Sequence, residues 1–436
     1  MPTVAFITLG CKVNQYDTQV MREVLKKTGY NLVNPDEIAN VYVINTCTVT
    51  SMSDRKSRQI IRRLAALNPD AMLVVTGCYA ERRPDEIKNI QNSALVLSNK
   101  DKPFIDKLLN GLINEASTLN LHNKTDFYPC ITNFDGQTRA LVKIEEGCDS
   151  MCTYCIVPHV RGCTIHSRPI DSIIQEVQAL AENGYKEIVL TGIHLGAYGK
   201  GSTYGLPDVL KAIHVFDGIE RIRLSSIEPM DVSDELINEI SRLPKCAHHL
   251  HISLQSGSDK ILRLMRRGYT SSEFENLVNR IRLAIPGVGI STDVMVGFPG
   301  ETDQDFAETC DLISRVRFSR LHVFRYSPRE GTPAAKFPDR VPDRVSSKRS
   351  DEVIALGERL LREFYSGMLG QYADVLIEDT REGKDNLLAG FTSNYARVLV
   401  VDATDDLVNS IVNVKLIRLE DDHLIGMQSL KDKIIA

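Results

Sequence analysis

The chain has no tryptophan, and aromatic residues make up only 6% of its 436 residues. Tryptophan and tyrosine form the belts that anchor proteins at membrane interfaces, so this shortage argues against such an anchor. No run approaches the roughly 18 consecutive apolar residues that a membrane-spanning helix needs. The N-terminus also lacks the basic segment and apolar run of a secretory signal. We therefore expect a cytoplasmic protein with no membrane partner.

An excess of positive charge is missing too. The chain has 52 basic and 57 acidic residues, for a net charge of −5. Residues 371–436 contain 7 Lys/Arg and 12 Asp/Glu, so the first 370 residues are neutral overall. Proteins that hold nucleic acid by bulk charge are more basic than this. If this chain binds RNA, it must do so through local basic patches.

Cysteine, in contrast, is plentiful, with ten residues in the chain. In a reducing compartment, cysteines act more often as metal ligands or catalytic thiols than as disulfides. The length suits about three domains, and the 43% apolar content is typical of a folded globular protein.

Hydrophobic patterning predicts an α/β N-terminal domain over residues 1–115. Strand-like segments at 4–9, 41–45 and 72–76 alternate with helix-like segments at 16–27 and 53–67. This alternation favours a doubly wound parallel sheet.

A second domain is predicted over residues 135–365. Six strand-like segments, most of them separated by helix-sized stretches, favour a partial TIM-like (βα)6 barrel with its site at the C-terminal strand ends. These segments are 140–144, 187–190, 221–224, 250–254, 289–294 and 321–325. Residues 341–368 then read as a charged helix. A period-two pattern over 370–436 predicts a small all-β barrel of about five strands.

Cys148, Cys152 and Cys155 form a C-x3-C-x2-C motif directly after the first barrel strand. Three thiolates at this spacing can ligate a cubane iron–sulfur cluster and leave one iron open for a substrate. The alternative is a zinc knuckle with His159 as its fourth ligand, but structural zinc sites usually draw ligands from two paired knuckles. The position at a strand end favours the cluster.

Cys11, Cys47 and Cys78 are separated by 36 and 31 residues, each about one βαβ crossover. Each follows a predicted strand, within a polar turn. The ends of successive parallel strands lie side by side, so the three thiols should meet at the ligand-binding edge of the sheet. Buried core cysteines are the alternative, but core packing does not explain the polar turns. We predict a second three-cysteine cluster. Cys130, Cys163, Cys246 and Cys310 show no ligand spacing.

These two cysteine sets resemble the methylthiotransferase branch of the radical S-adenosylmethionine (SAM) superfamily. The resemblance covers nearly the whole chain and implies a TRAM-like fold for residues 370–436. The segment from Thr8 to Thr18, TLGCKVNQYDT, resembles enzymes that act on N6-threonylcarbamoyladenosine at tRNA position 37. Other branches modify prenylated adenosine in tRNA or an aspartate of a ribosomal protein, and these remain alternatives. A non-catalytic iron–sulfur carrier is a third reading, against which the SAM-type strand ends argue.

The resemblance implies two [4Fe–4S] clusters and SAM as both radical source and methyl donor. Sulfur would be inserted at C2 of the adenine and then methylated, and a sulfide or polysulfide on the auxiliary cluster is compatible with this chemistry. No catalytic residue is implied beyond the cluster ligands. The implied partners are a tRNA anticodon stem-loop and an electron donor such as a flavodoxin or ferredoxin.

Polar and glycine residues at the strand ends suit SAM binding, since glycine allows a ligand to approach the backbone closely. The candidate contacts are Tyr154, Thr191, Gly192, Ser226, Glu228, Gln255, Ser256, Asp293, Gly297 and Ser327. We expect His248, His249 and His251 to have polar or packing roles rather than to share a metal.

Basic residues on two predicted helices are candidates for RNA binding. Arg55, Arg58 and Arg62 share one face at helical spacing. Arg263, Arg266 and Arg267 form a second cluster, from which Arg266 is the selected candidate. A solvated helix face is the alternative for both sets.

Overall fold

The computed structural model describes residues 1–91, 94–111 and 130–429. The chain forms two compact units. The first unit comprises Met1–Asp135, Glu145–Ala179 and Ser327–Ala335, and the second comprises Gly136–Ile144, Leu180–Tyr326 and Lys336–Ala436. The predicted domain limits at 115 and 436 lie outside the described residues. No helix in the described ranges is long and apolar enough to span a membrane.

The first unit contains a five-stranded parallel sheet with strand order 2-1-3-4-5. Its strands are Thr3–Thr8, Asn31–Val33, Val41–Thr46, Met72–Gly77 and Leu95–Val96. Its helices are Lys12–Lys27, Ser51–Leu67, Cys78–Arg82, Pro84–Ile90 and Ile105–Leu109. The predicted doubly wound sheet is confirmed. The two short edge strands were not predicted, because two or three residues carry too little periodicity.

A small antiparallel pair closes the loop that contains the C-x3-C-x2-C motif. The paired strands are Glu145–Glu146 and His166–Ser167. The short helix Val157–Arg161 lies between them, and helix Ile170–Glu182 follows.

The second unit contains the six predicted parallel barrel strands. They are Arg139–Lys143, Glu187–Thr191, Arg221–Leu224, His249–Ile252, Gly289–Val296 and Arg320–Arg325. The first three and the last three belong to two sheets, joined by a parallel bridge between Ile222 and Cys246. A short strand, Ser226–Ile227, extends the third strand and pairs with the fourth. The helices are Leu206–His214, Asp234–Arg242, Asp259–Met265, Ser271–Ala284, Asp303–Val316 and Asp343–Ser366.

The C-terminal strands close into the predicted five-stranded barrel. They are Tyr372–Glu382, Leu387–Thr392, Arg397–Val400, Ile411–Glu420 and His423–Gln428. Closure removes exposed sheet edges.

Buried charges attach this small barrel to the N-terminal ends of the strands Glu187–Thr191 and Arg221–Leu224. The guanidinium of Arg221 donates to Glu187 at 3.1 Å and to the Phe391 carbonyl at 2.9 Å. Arg223 donates to the same carboxylate at 2.7 Å and to the Ser393 carbonyl at 3.0 Å. The small barrel therefore lies at the end of the strands opposite to the predicted site.

Candidate active site

Cys11, Cys47 and Cys78 each follow one of three neighbouring strands of the first unit. The strands Thr3–Thr8, Val41–Thr46 and Met72–Gly77 pair side by side. The prediction counted them as consecutive. The Asn31–Val33 strand intervenes in the chain, but it pairs on the far side of the first strand and leaves the three neighbours together. The cysteines thus lie at one sheet edge, near the point where strand order reverses and α/β sheets bind ligands.

The three thiols are close enough to influence one another. A Cβ added to Gly10, the residue before Cys11, would lie 3.0 Å from the Cys47 sulfur. Burial raises the pKa of the Cys47 thiol, and the Cys78 and Cys11 thiols raise it further by charge repulsion. Cys47 and Cys78 are buried, whereas Cys11 is exposed. This set can hold a centre that is anchored in protein and open on one side.

Two glycines set the direction of the chain at the cysteines that follow them. Gly77 has a φ of +92°, and a Cβ there would lie 2.3 Å from the Thr46 carbonyl oxygen. Gly147 has a φ of +100°, and its Cβ would lie 2.1 Å from the Thr164 carbonyl oxygen. A side chain would clash at both positions, so glycine is required before Cys78 and Cys148.

The C-x3-C-x2-C loop is folded back on itself by backbone hydrogen bonds. The Cys148 amide donates to the Gly162 carbonyl at 3.0 Å, and the Cys155 amide donates to the Cys152 carbonyl at 3.1 Å. All three cysteines are half-buried, and His159, the alternative zinc ligand, is exposed.

Within the described ranges, no three His, Cys, Asp or Glu side chains are arranged to hold one metal ion. A cubane cluster places each cysteine on a different iron, so its thiols stand farther apart. Each set offers three thiols, one at a sheet edge and one in a closed loop, which is the number of cysteine ligands such a cluster takes when one iron stays open.

Sequence reasoning missed the buried charges beside Cys78. Arg161 donates through Nε to the Cys78 sulfur at 3.4 Å and through Nη1 to Asp17 at 2.9 Å. Lys102 donates to the same Asp17 carboxylate at 2.8 Å. Only the position of Arg161 shortly after the cysteine loop could have drawn attention to it.

The SAM candidates of the second unit lie at neighbouring strand ends, but their surroundings differ. Ser226 is exposed, and Gly192, Glu228 and Asp293 are half-buried. The buried candidates are Thr191, Gln255, Ser256 and Gly297. The more accessible set is better placed to touch a ligand.

Internal partners occupy several of these candidates. Glu228 accepts from Arg267, a member of the second predicted basic cluster, whose side chain is only 2% exposed. The Ser256 hydroxyl lies 3.3 Å from the Thr309 hydroxyl. Both carboxylate oxygens of Glu301 accept from the Gly297 amide at 3.1 Å. These interactions shape the strand ends.

Asp293 lies beside a histidine pair. Its carboxylate is 3.3 Å from His251 Nε2, and His251 and His249 each lie 2.9 Å from the Ser291 hydroxyl. These contacts confirm polar roles for the two histidines.

Two SAM candidates belong to the first unit. Tyr154 is half-buried and lies between Cys152 and Cys155 in the chain. The Ser327 hydroxyl accepts from the Ser51 amide at 3.1 Å, at the start of helix Ser51–Leu67.

The RNA candidates differ in how freely they reach solvent. Arg55, Arg62 and Arg266 are exposed. Arg58 is half-buried, lies 5.8 Å from the Tyr79 ring centroid and donates to the Tyr79 hydroxyl at 3.3 Å.

Comparison with known families assigns the class. A profile described as the radical SAM superfamily matches residues 142–313, and one described as uncharacterized protein family UPF0004 matches residues 3–98. The fold and the cysteine loop thus define a radical-SAM protein, a class that uses an iron–sulfur cluster and SAM.

Full-length relatives refine the class. The threonylcarbamoyladenosine tRNA methylthiotransferase MtaB of Bacillus subtilis is 41% identical over 96% of this chain and 94% of its own. The MtaB of Thermotoga maritima is 40% identical over 87% of each. The tRNA-2-methylthio-N(6)-dimethylallyladenosine synthase of Bacillus subtilis is 36% identical over 94% of this chain and 82% of its own. The chain belongs to the radical-SAM methylthiotransferase family and is a transferase, as predicted.

Solved structures share the fold. The radical SAM methyltransferase TsrM from Kitasatospora setae matches with a TM-score of 0.58 and 15% identity, over 76% of each chain. The cobalamin-dependent SAM radical enzyme OxsB matches with a TM-score of 0.53 and 14% identity, over 84% of this chain and 57% of its own. At these identities the likeness supports the fold alone.

Proposed function

We propose that the enzyme converts N6-threonylcarbamoyladenosine at tRNA position 37 to its 2-methylthio derivative. Sequence identity is the observation that supports this substrate. Four relatives named for it are 34–41% identical over 87–97% of this chain. Relatives named for dimethylallyladenosine are 33–36% identical. Prenylated adenosine is therefore the second candidate substrate.

Two [4Fe–4S] clusters belong to this proposal. Cys148, Cys152 and Cys155 would hold the radical-SAM cluster, and Cys11, Cys47 and Cys78 would hold the auxiliary cluster. When bound, the clusters and SAM supply the radical that activates C2 of the adenine, the inserted sulfur and the methyl group. The sulfur includes any sulfide or polysulfide held on the auxiliary cluster. The chain itself positions the ligands. Gly77 and Gly147 direct Cys78 and Cys148 toward their turns, because no side chain fits at either glycine.

SAM contacts are proposed first for the accessible strand ends, Gly192, Ser226, Glu228 and Asp293, and for Tyr154 and Ser327. Thr191, Gln255, Ser256 and Gly297 would shape the site from behind, since their side chains or backbone are buried. Gln255 has a φ of +66°, and its backbone N–H donates to the backbone carbonyl of Asp293 at 2.8 Å. It can thereby hold Asp293 in place.

RNA contacts are proposed for Arg55, Arg62 and Arg266, which are exposed, with Arg58 aligned by Tyr79. The RNA would be the anticodon stem-loop, and a flavodoxin or ferredoxin would donate electrons. We assign the domains as 1–115, 135–365 and 370–436, the last TRAM-like. The cytoplasm, where tRNA is modified, is the proposed location.

The substrate is tested by mass spectrometry of tRNA nucleosides from cells with and without the gene. We expect the 2-methylthio form of threonylcarbamoyladenosine to disappear and the unthiolated nucleoside to accumulate. Loss of the prenylated methylthio-nucleoside would instead show that prenylated adenosine is the substrate. If no nucleoside changes, the tRNA proposal is wrong, and a mass shift in a ribosomal protein becomes the next measurement.

The two clusters are tested with purified, reconstituted variants. Cys148→Ala should abolish SAM cleavage, because the radical-SAM cluster loses a ligand. Cys47→Ala should retain SAM cleavage but stop sulfur insertion into an anticodon stem-loop. The matched control is Cys163→Ala, which removes an exposed thiol near the loop and should retain both activities. Thiolation of RNA by the Cys47→Ala variant would overturn the two-cluster assignment.

A further inference from the structure

Arg161 is an arginine whose side chain is only 1% exposed. It ends the short helix Val157–Arg161 that follows the cysteine loop. Its Nε donates to the Cys78 sulfur at 3.4 Å. Burying a guanidinium is costly unless it is paired and hydrogen-bonded, so this one must be held by several partners.

The remaining nitrogens of Arg161 reach residues that position the other cysteines. Nη2 donates to Asn14, and the Asn14 amide donates to the Leu9 and Thr46 carbonyls at 2.7 and 2.9 Å. Those carbonyls belong to the segments that lead into Cys11 and Cys47. Nη1 contacts Glu146, two residues before Cys148, at 3.3 Å. One side chain therefore connects the surroundings of all three auxiliary thiols with the start of the radical-SAM loop.

The local charges leave this guanidinium directed at sulfur. Asp17 lies 2.9 Å from Arg161 and 2.8 Å from Lys102, so its single negative charge is shared between two cations. Glu146 is the second carboxylate, and its side chain is 27% exposed. The Cys78 sulfur, 3.4 Å from Nε, is thus a further acceptor that Arg161 faces.

We propose that Arg161 is a positioning residue that sets the reduction potential of the auxiliary cluster. A cation that donates a hydrogen bond to a ligating sulfur stabilises the reduced, more negative form of a cluster and raises its potential. The inference rests on the proposed assignment of Cys11, Cys47 and Cys78 as ligands.

The test isolates the auxiliary cluster in full-length chain carrying Cys148→Ala, Cys152→Ala and Cys155→Ala. Iron content is measured after anaerobic reconstitution, and the midpoint potential is measured by a redox titration followed by electron paramagnetic resonance. Arg161→Gln, which removes the cation, should shift the midpoint to a more negative value. Arg161→Lys keeps the charge but loses the planar fork, so it should give a smaller shift in the same direction.

Two further variants separate charge from stability. Arg168→Gln removes a similarly buried guanidinium, 2% exposed and 2.5 Å from Glu176, and should leave the midpoint unchanged. Glu146→Gln removes a partly exposed negative charge next to Arg161 and should shift the midpoint to a more positive value. If Arg161→Gln does not fold, the Arg161→Lys and Glu146→Gln variants still decide the question.

The outcomes distinguish the two proposals. If the parent triple variant binds no iron, the assignment of Cys11, Cys47 and Cys78 as cluster ligands is wrong. If it binds a cluster whose midpoint is the same in the Arg161 and Glu146 variants, only the role of Arg161 is wrong.

Discussion

Gly77 shows at the scale of one residue how the backbone prepares a ligand site. Gly77→Ala would combine a φ of +92° with a Cβ 2.3 Å from the Thr46 carbonyl oxygen. The segment must move, and Cys78 must move with it. We expect the variant to lose the iron of the auxiliary cluster after reconstitution while SAM cleavage persists, as measured by iron analysis and 5′-deoxyadenosine formation.

Gly29→Ala is the matched control. Gly29 has a φ of +93°, but no atom lies within 4 Å of its added Cβ. This variant carries the left-handed strain of roughly 1–2 kcal/mol without the clash, so it should retain its iron. Full iron in Gly77→Ala would contradict the argument.

The residue types alone could not show which candidates contact a bound group and which only hold the site in shape. The placement of the six cysteines at three strand ends and in one loop could be predicted from their spacing, whereas their role as cluster ligands stays a prediction. Glu228 and Ser256 looked equivalent in the sequence, yet one pairs with Arg267 and the other with Thr309. Those partners lie 39 and 53 residues away, so only the fold brings them together.

At the scale of an element, helix Asp303–Val316 begins with a capping box. The Asp305 amide donates to the Thr302 hydroxyl at 3.3 Å, and the Thr302 amide donates to the Asp305 carboxylate at 2.8 Å. Thr302→Ala should cost about 1 kcal/mol of helix stability. Hydrogen exchange in the first turn should accelerate about fivefold, as measured by mass spectrometry. The exposed Gln304→Ala is the control, and equal exchange in both variants would contradict a capping role.

At the scale of the whole molecule, Glu187 joins the three-stranded sheet of the second unit to the C-terminal barrel. Its carboxylate is fully buried between Arg221 and Arg223, which also bind carbonyls of the barrel. Glu187→Gln would leave two buried cations without their anion and should cost about 3–5 kcal/mol. Urea denaturation at pH 7 measures this. Glu220→Gln, in a partly exposed pair with Lys186, should change the free energy of unfolding by about 1 kcal/mol or less.

The buried Glu187 carboxylate also predicts that the stability of the fold depends on pH. Burial opposes ionisation of Glu187, but Arg223 and Arg221 outweigh it and hold its pKa below the usual range. A carboxylate with a lowered folded-state pKa stabilises the fold above its unfolded pKa, and this contribution is lost as pH falls. The wild-type chain should therefore lose more stability than Glu187→Gln between pH 7 and pH 4. An identical loss in both would show that Glu187 is not responsible.

The sequence by itself determined the class of fold and the six candidate ligands. Hydrophobic period and cysteine spacing are local signals, and short crossovers leave little freedom in where parallel strands place their ends. Tertiary structure decided the rest: the edge strands too short for a period, the attachment of the small barrel, and the burial of Arg161 against Cys78. These depend on contacts between residues far apart in the chain, such as Arg161 and Cys78, 83 positions apart, and no local pattern encodes which charge will meet which sulfur.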